Sequence, residues 1–364
     1  MSEDYYDRLV DEEALAAYLE AHLGPADAYD VEHHQQGFSN ETLFVTWGER
    51  DLVLRRPPPG ETAETAHDVL REYEVTDTLV DTDVPVPEPL LACDDGDVIG
   101  SDFYVMERLE GDVLRWSEPD WLEDPARRER VGEAFVDGLA AIHGVDHEAV
   151  GLGEFGRPAG YTRRQVDRWG KQLAWAFERT ADEREVPTLD EVGAWLDEHC
   201  PEEHPRALVH GDYKLDNVMF APPGTDRTGA ETERDRPELV GVFDWEMSTL
   251  GDPRADLGWT LAYWRDPGDP DPAVPELTPT FMEAEGYPTR RDLVDRWEAE
   301  TGLAFEHERF YRTLAVYKLA ALGEMFFRRH LEGNADNPMY PLMEERVPAM
   351  AERAERIVDG GEPL

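Results

Sequence analysis

Apolar residues recur at helical spacing over residues 9 to 23, at Leu9, Leu15, Ala16, Leu19 and Leu23, and Gly24-Pro25 stops the run. The pattern then changes to strand-like segments. Two of them lie within Val31–Trp47 and flank a small polar turn, Gly37-Phe38-Ser39-Asn40. A third, Asp51–Arg56, ends at Pro57-Pro58-Pro59-Gly60, because proline cannot extend a ladder. Side chains alternate along a strand, so Val53 and Arg55 share one face while Leu54 and Arg56 share the other. A helix is expected over 63–80, with Val69, Tyr73, Thr76 and Val80 on one stripe and Glu72 beside it, able to turn inward towards Arg55. Pro85, Pro87 and Pro89 mark an extended lead into Leu90–Cys93. The turn Asp94–Asp97 precedes Val98-Ile99, and Phe103–Met106 is a further strand that runs into Glu107-Arg108-Leu109-Glu110-Gly111.

Beyond residue 111 helical periodicity dominates. Helices are expected over 127–143, 161–180, 189–199, 290–301, 307–332 and 340–357. The longest carries Phe310, Leu314, Tyr317, Ala321 and Met325 in register and reads as the back wall of this part. Short apolar strands interrupt the helices at Leu208-Val209, Val218–Phe220 and Leu239–Phe243. The stretch from Ala221 to Pro237, rich in Pro, Gly, Thr and charged residues, reads as an exposed insertion. The change of pattern divides the chain into 1–110, built on a sheet, and 111–364, built on helices.

Composition narrows the partners. Asp and Glu number 82 against 35 Lys plus Arg, a formal charge of −47 spread along the whole chain. So large an excess argues against nucleic acid, which needs a basic stripe. With ten Trp, thirteen Tyr and thirteen Phe it does not read as disorder. Dispersed acidity fits a folded protein kept soluble at high salt, here read as a salty cytoplasm. Two cysteines, Cys93 and Cys200, make neither a disulfide scaffold nor a metal cluster. The acidic start of the chain has no signal-peptide pattern and no apolar run of about eighteen residues is present, so a soluble cytoplasmic protein without membrane contact is expected. Oligomeric state is not legible.

Gly151-Leu152-Gly153-Glu154-Phe155-Gly156 matches the dinucleotide fingerprint literally, yet no strand leads into it and no helix opens after it, so it is read as a connector. Arg163, Arg164, Arg168 and Lys171 reverse the acidic trend on one helix and are read as its surface, with an anionic substrate as the other reading. The richest stretch is Leu208-Val209-His210-Gly211-Asp212-Tyr213-Lys214-Leu215-Asp216-Asn217-Val218-Met219-Phe220, a polar loop between two apolar strands. Its Asp212 and Asn217, followed by Asp244 at the end of the next strand, have the order in which kinases place a base and two magnesium ligands. Lys214 would point at the transferred phosphoryl group, and His210 reads as a packed residue that fixes the loop. The turn holding Gly37, Ser39 and Asn40 can lay backbone amides over a triphosphate. Val53 would pack on adenine, Arg55 would pair the phosphates with Glu72 behind it, and backbone groups of Glu107 and Leu109 would bond the adenine edge.

His210-Gly211-Asp212 with Asn217, then Asp244-Trp245-Glu246 and Gly251-Asp252-Pro253-Arg254-Ala255-Asp256-Leu257, resembles the aminoglycoside phosphotransferase and choline kinase superfamily. Leu54-Arg55-Arg56-Pro57-Pro58-Pro59-Gly60 is similar to the branch found as a phosphotransferase domain associated with acyl-CoA dehydrogenases. The resemblance spans about residues 30 to 330. It implies an α+β, protein-kinase-like two-lobed fold, with an antiparallel N-terminal sheet lobe that binds nucleotide and a larger helical catalytic lobe. It also implies ATP- and Mg2+-dependent phosphorylation of a hydroxyl on a small molecule, with Asp212 as base. The branch points to a hydroxyacyl-type acceptor; an antibiotic kinase and a nucleotide-sensing pseudokinase are the rival readings. Asp256 is expected to bond the catalytic-loop backbone and Asp252 to be structural. Arg55 stands where most of the superfamily has a lysine, which the branch resemblance explains as a subgroup mark.

Overall fold

The computed structural model describes residues 3–6, 8–34, 40–59, 68–333 and 337–364. In chain order they form α1 (Glu3–Tyr6), α2 (Glu12–Leu23), β1 (Tyr29–His34), β2 (Glu41–Trp47), β3 (Arg50–Arg56), α3 (Val69–Leu79), β4 (Pro89–Cys93), α4 (Gly96–Ile99) and β5 (Phe103–Glu107). Then follow α5 (Pro125–Gly144), α6 (Tyr161–Thr180), α7 (Thr188–Glu198), β6 (Ala207–Val209), β7 (Val218–Ala221), β8 (Glu238–Val242) and β9 (Thr249–Gly251). Four helices close the series: α8 (Pro253–Tyr263), α9 (Arg290–Thr301), α10 (Glu308–Leu331) and α11 (Met343–Val358). The chain divides into two compact units. The first comprises 1–112, 219–235 and 240–247, and the second 113–218, 236–239 and 248–364.

The first unit is organised on a five-stranded antiparallel sheet of order β1-β2-β3-β5-β4. Alternation on β2 and β3 sends Leu43, Val45, Trp47, Leu52 and Leu54 into one core with Leu15 and Leu19 of α2. The opposite face holds Val53, Tyr104 and Met106 against Val69 of α3. Val53 and Arg55 therefore share a face, as the period of two requires. Arg56, on the other face, is buried and donates to the carbonyls of Leu9 and Ile99, which ties the segment before α2 to the sheet. The first helical run starts only at Glu12, because Asp11 caps it through the Ala14 amide; Leu9 is core but not helix. Val98 and Ile99 lie in α4, where Asp95 caps a single turn, and are not a strand.

The helix expected over 63–80 begins at Val69, after Asp68 caps the Arg71 amide; residues 63–67 lie outside the described residues. Val80 is exposed rather than part of the apolar stripe, because the helix has ended there. The Ala221–Pro237 stretch is not a free insertion. Asp112 and Phe220 exchange backbone hydrogen bonds, and a Cβ on Gly111 would stand 2.6 Å from the Phe220 carbonyl oxygen, so only glycine allows that approach. Arg227 reaches back to the Val86 carbonyl and the Glu107 carboxylate.

The second unit is helical. α10 packs against α6, α7, α8 and α11 and is buried on nearly every side, so it is the centre of this unit and not its back wall. Its Glu324 is fully buried and held by both terminal nitrogens of Arg184, at 2.7 and 3.3 Å. The 151–156 stretch forms turns, with Leu152 and Phe155 buried, as the connector reading requires. A small antiparallel ladder, β6 with β9, sets the entry to the loop that follows β6.

Candidate active site

Leaving β6, the chain turns at Gly211, whose φ of 84° is the left-handed region where glycine is unstrained. Asp256, in the first turn of α8, accepts the amides of His210 at 2.6 Å and Gly211 at 2.8 Å. Burial opposes its charge, but His143, His210 and those amides hold its carboxyl below the usual range. Its partner Asp252 caps α8 and receives the hydroxyl of Tyr311 at 2.5 Å, a structural duty. His210 is fully buried, with Nδ1 accepting the Asp212 amide at 3.2 Å.

These constraints deliver the Asp212 carboxylate into a fixed cage. Trp259 Nε1 donates to one oxygen at 2.8 Å. Lys214 Nζ and Asn217 Nδ2 both donate to the other at 3.0 Å. Burial opposes the charge, yet Lys214, Lys318 and His210 keep the carboxyl ionised below the usual range. Lys214 is in turn held protonated, burial being outweighed by Tyr263, Asp212 and Asp216. A short helical turn at Leu215–Asn217 brings Asn217 back to the start of the loop. Its amide nitrogen is committed to Asp212, which leaves Oδ1 as the atom able to bind a cation.

The remaining predicted residues lie in the first unit. Arg55 sits between two carboxylates, 3.3 Å from Glu72 Oε2 and 3.3 Å from Asp244 Oδ1, and its buried Nε has no partner. Burial works against its charge, but Glu72, Tyr104 and Asp244 together hold it protonated. Glu72 is buried on α3; burial raises its carboxyl above the usual range, with Arg55 opposing. Asn40 is buried and donates to Glu72 at 3.5 Å, while its own Oδ1 is unpartnered. Asp244 has a φ of 68°, a left-handed conformation costly for a non-glycine residue and one found at functional sites. Val53 is packed with Tyr104 and Met106. The Glu107 amide donates to the Glu88 carbonyl, and Leu109 is buried beside Gly241. Gly37 and Ser39 lie outside the described residues.

Two groups thus form: Asp212, Lys214 and Asn217 in one unit, and Asn40, Arg55, Glu72 and Asp244 in the other. Among the described residues no three His, Cys, Asp or Glu gather as a metal cage. The amide oxygen of Asn217 and the carboxylate of Asp244 are each hard donors of the kind that magnesium takes. Reading the sequence missed Lys318, whose ammonium donates to the Gly211 carbonyl at 2.7 Å and lies 3.6 Å from the centre of the Trp259 ring. No spacing rule marks it, since its partners come from a different stretch of chain.

The sequence profile described as "Phosphotransferase enzyme family" matches residues 30–293. Acyl-CoA dehydrogenase family member 10 of Mus musculus is 32% identical over 358 residues, covering 95% of this chain but 31% of that protein. The chain therefore spans about a third of that relative's length. A crystal structure assigned to the aminoglycoside phosphotransferases, from Ralstonia eutropha JMP134, superposes with a TM-score of 0.79 at 31% identity, over 96% of this chain and 98% of that one. An aminoglycoside phosphotransferase mutant in ternary complex with AMP-PNP and hygromycin B shares the fold, with a TM-score of 0.55 at 17% identity over 96% of this chain and 99% of that one. No helix among the described residues is long and apolar enough to cross a membrane.

Proposed function

The chain belongs to the phosphotransferase enzyme family, and on that premise we propose that it transfers the γ-phosphoryl group of ATP to a hydroxyl of a small molecule, with Asp212 as the base. The observation that carries the reading is the cage on Asp212: a half-buried carboxylate kept ionised and aimed by Trp259, Lys214 and Asn217. A protein that only sensed nucleotide would have no use for a base prepared in this way.

In the proposed step the acceptor hydroxyl gives its proton to Asp212, and its oxygen forms the new bond to phosphorus. The bond from the γ-phosphorus to the β-bridging oxygen breaks, and its electron pair leaves with ADP. Arg55, oriented by Glu72, is the proposed contact to the nucleotide phosphates, and Gly37, Ser39 and Asn40 are proposed to bind them as well. Val53 and the backbone of Glu107 and Leu109 are the proposed adenine contacts. Asn217 and Asp244 are the proposed magnesium ligands; the bound ion would neutralise phosphate charge. Arg55 already pairs with Asp244, so a cation held by that carboxylate would compete with it.

The test is ADP release with a panel of hydroxylated metabolites, hydroxyacyl compounds included. Asp212→Ala should lower kcat about 10²-fold or more, while ATP affinity, read by calorimetry, stays within about twofold. Equal turnover by wild type and Asp212→Ala would refute the assignment of the base. ATP binding without transfer to any acceptor would favour a sensor.

A further inference from the structure

In a chain where acids outnumber bases 82 to 35, most bases of the second unit meet a carboxylate. The arginines of the second unit show the rule: Arg128, Arg184, Arg254, Arg290, Arg296 and Arg312 all pair with acids. Lys318, Arg346 and Arg168 belong to the minority for which no ion pair forms among the described residues. Lys318 stands beside the cage on Asp212. Lys318 is bound only to the neutral Gly211 carbonyl and lies against Trp259, the residue that donates to Asp212. Two N–H groups of its ammonium are left for a ligand. Arg346, on α11, has a buried Nε with no acceptor. Its charge acts on Tyr263, whose ring lies 5.4 Å from the Lys214 ammonium that grips Asp212. Arg168 is exposed over Trp169, the ring that also borders Lys318. The local acids are already engaged: Asp212 by Lys214, Asp216 by Arg115 and Asp256 by backbone amides.

Cations that meet no carboxylate in an acid-rich chain, close to a carboxylate base that is already engaged, are placed to take an anion from a ligand. We propose that the phosphoryl acceptor is itself an anion, a hydroxy compound bearing a carboxylate or a phosphate that Lys318 and Arg346 bind while its hydroxyl faces Asp212. This rests on the Asp212 reading above and adds the acceptor's chemical class. A polycationic aminoglycoside would meet repulsion from the same side chains, so the pocket selects against it.

The experiment offers wild-type protein, with ATP and magnesium in molar KCl, matched acceptors: hydroxycarboxylates against their methyl esters, glycerol 2-phosphate against glycerol, and kanamycin. ADP release should give a kcat/KM about tenfold or more higher for an anion than for its neutral counterpart, the value of one charge-assisted contact. Whichever pair shows the preference identifies carboxylate or phosphate. Arg346→Gln and Lys318→Met should each bring that ratio towards one, and Arg346→Lys should restore part of it. Wild-type preference for esters, glycerol or kanamycin would overturn the proposal and leave phosphoryl transfer standing, as would an unchanged ratio in both variants. A second measurement is independent of turnover: malonate should raise the thermal midpoint of wild type more than that of Arg346→Gln. If no acceptor is phosphorylated but that difference is present, the anion site stands and the kinase reading fails. Equal malonate shifts overturn the site.

Discussion

The contacts of Lys214 and Asn217 with Asp212 were legible in the sequence because all three lie within one loop, whereas Trp259, the donor from α8, was not. Lys318 was not, because the Gly211 carbonyl, Trp259 and Trp169 that surround it come from three other elements. Nor could spacing tell that Arg55 bridges Glu72 and Asp244, or that Asp244 adopts a left-handed backbone. Lys318 also titrates where assays are run. Burial pulls its pKa down to about 8, with Lys214 and Arg168 adding to the fall and Asp212 and Asp256 opposing it. Its charge is therefore present below pH 8 and lost as pH rises through that value. The kcat/KM for acceptor should decline above about pH 8, and Lys318→Arg, whose guanidinium stays charged, should lose that descending limb. The stability sign is opposite to that of a lysine stabilised by a partner. The folded pKa lies below the unfolded one of about 10.4, so the unfolded state binds more protons in between. Relative to Lys318→Met, wild type should then gain stability from about pH 8 to 10, read by urea denaturation; a loss over that window would contradict the burial argument.

At the scale of elements, α9, opened by the Thr289–Asp292 capping box, spans Arg290–Thr301, where periodicity put it. α10 was found, but its role was not. Phe310, Leu314, Tyr317 and Ala321 defined one stripe, whereas Arg312, Thr313 and Glu324 are buried as well. A polar residue on a helix reads as solvent-facing unless its partner is known, and Glu324's partner, Arg184, lies beyond the end of α6. The same blindness hid Arg227, whose anchor, Glu107, closes β5. Arg184 does more than neutralise Glu324. It also donates to the carbonyls of Met343 and Glu344, so a single guanidinium ties α10 to the start of α11 and to the segment after α6. Arg184→Ala should leave a carboxylate with no counter-charge at zero exposure. The expected loss is about 3–5 kcal/mol, as for other broken buried pairs. A double change of Arg184 and Glu324 to apolar residues of similar volume should recover much of it. Chemical denaturation at fixed salt measures both, and a single variant within about 0.5 kcal/mol of wild type would mean the pair is not structurally coupled.

For the whole molecule the governing quantity is the charge of −47, legible from composition alone, but its consequence depends on where the acids sit. The structure sorts them into two populations. One neutralises buried bases: Arg290 meets Asp266, Asp269 and Glu362, and Glu362 also meets Arg312 and Arg353. The other, much larger because there are 47 more acids than bases, has no base to meet and repels itself through solvent. Salt acts on the two unequally. The Debye length falls from about 10 Å at 0.1 M to about 3 Å at 1 M, which screens solvent-borne repulsion but hardly touches pairs in contact and shielded from water. Added KCl should thus remove a destabilising term while leaving the buried network in place, and stability should rise with salt. The urea midpoint should climb steeply between 0.1 and 1 M KCl and flatten beyond, once screening is complete. Sucrose at concentrations that match KCl in surface exclusion should not reproduce the steep part, because it carries no charge. A midpoint that stays level or falls with KCl would mean that exposed ion pairs, not net repulsion, dominate the electrostatics of this chain.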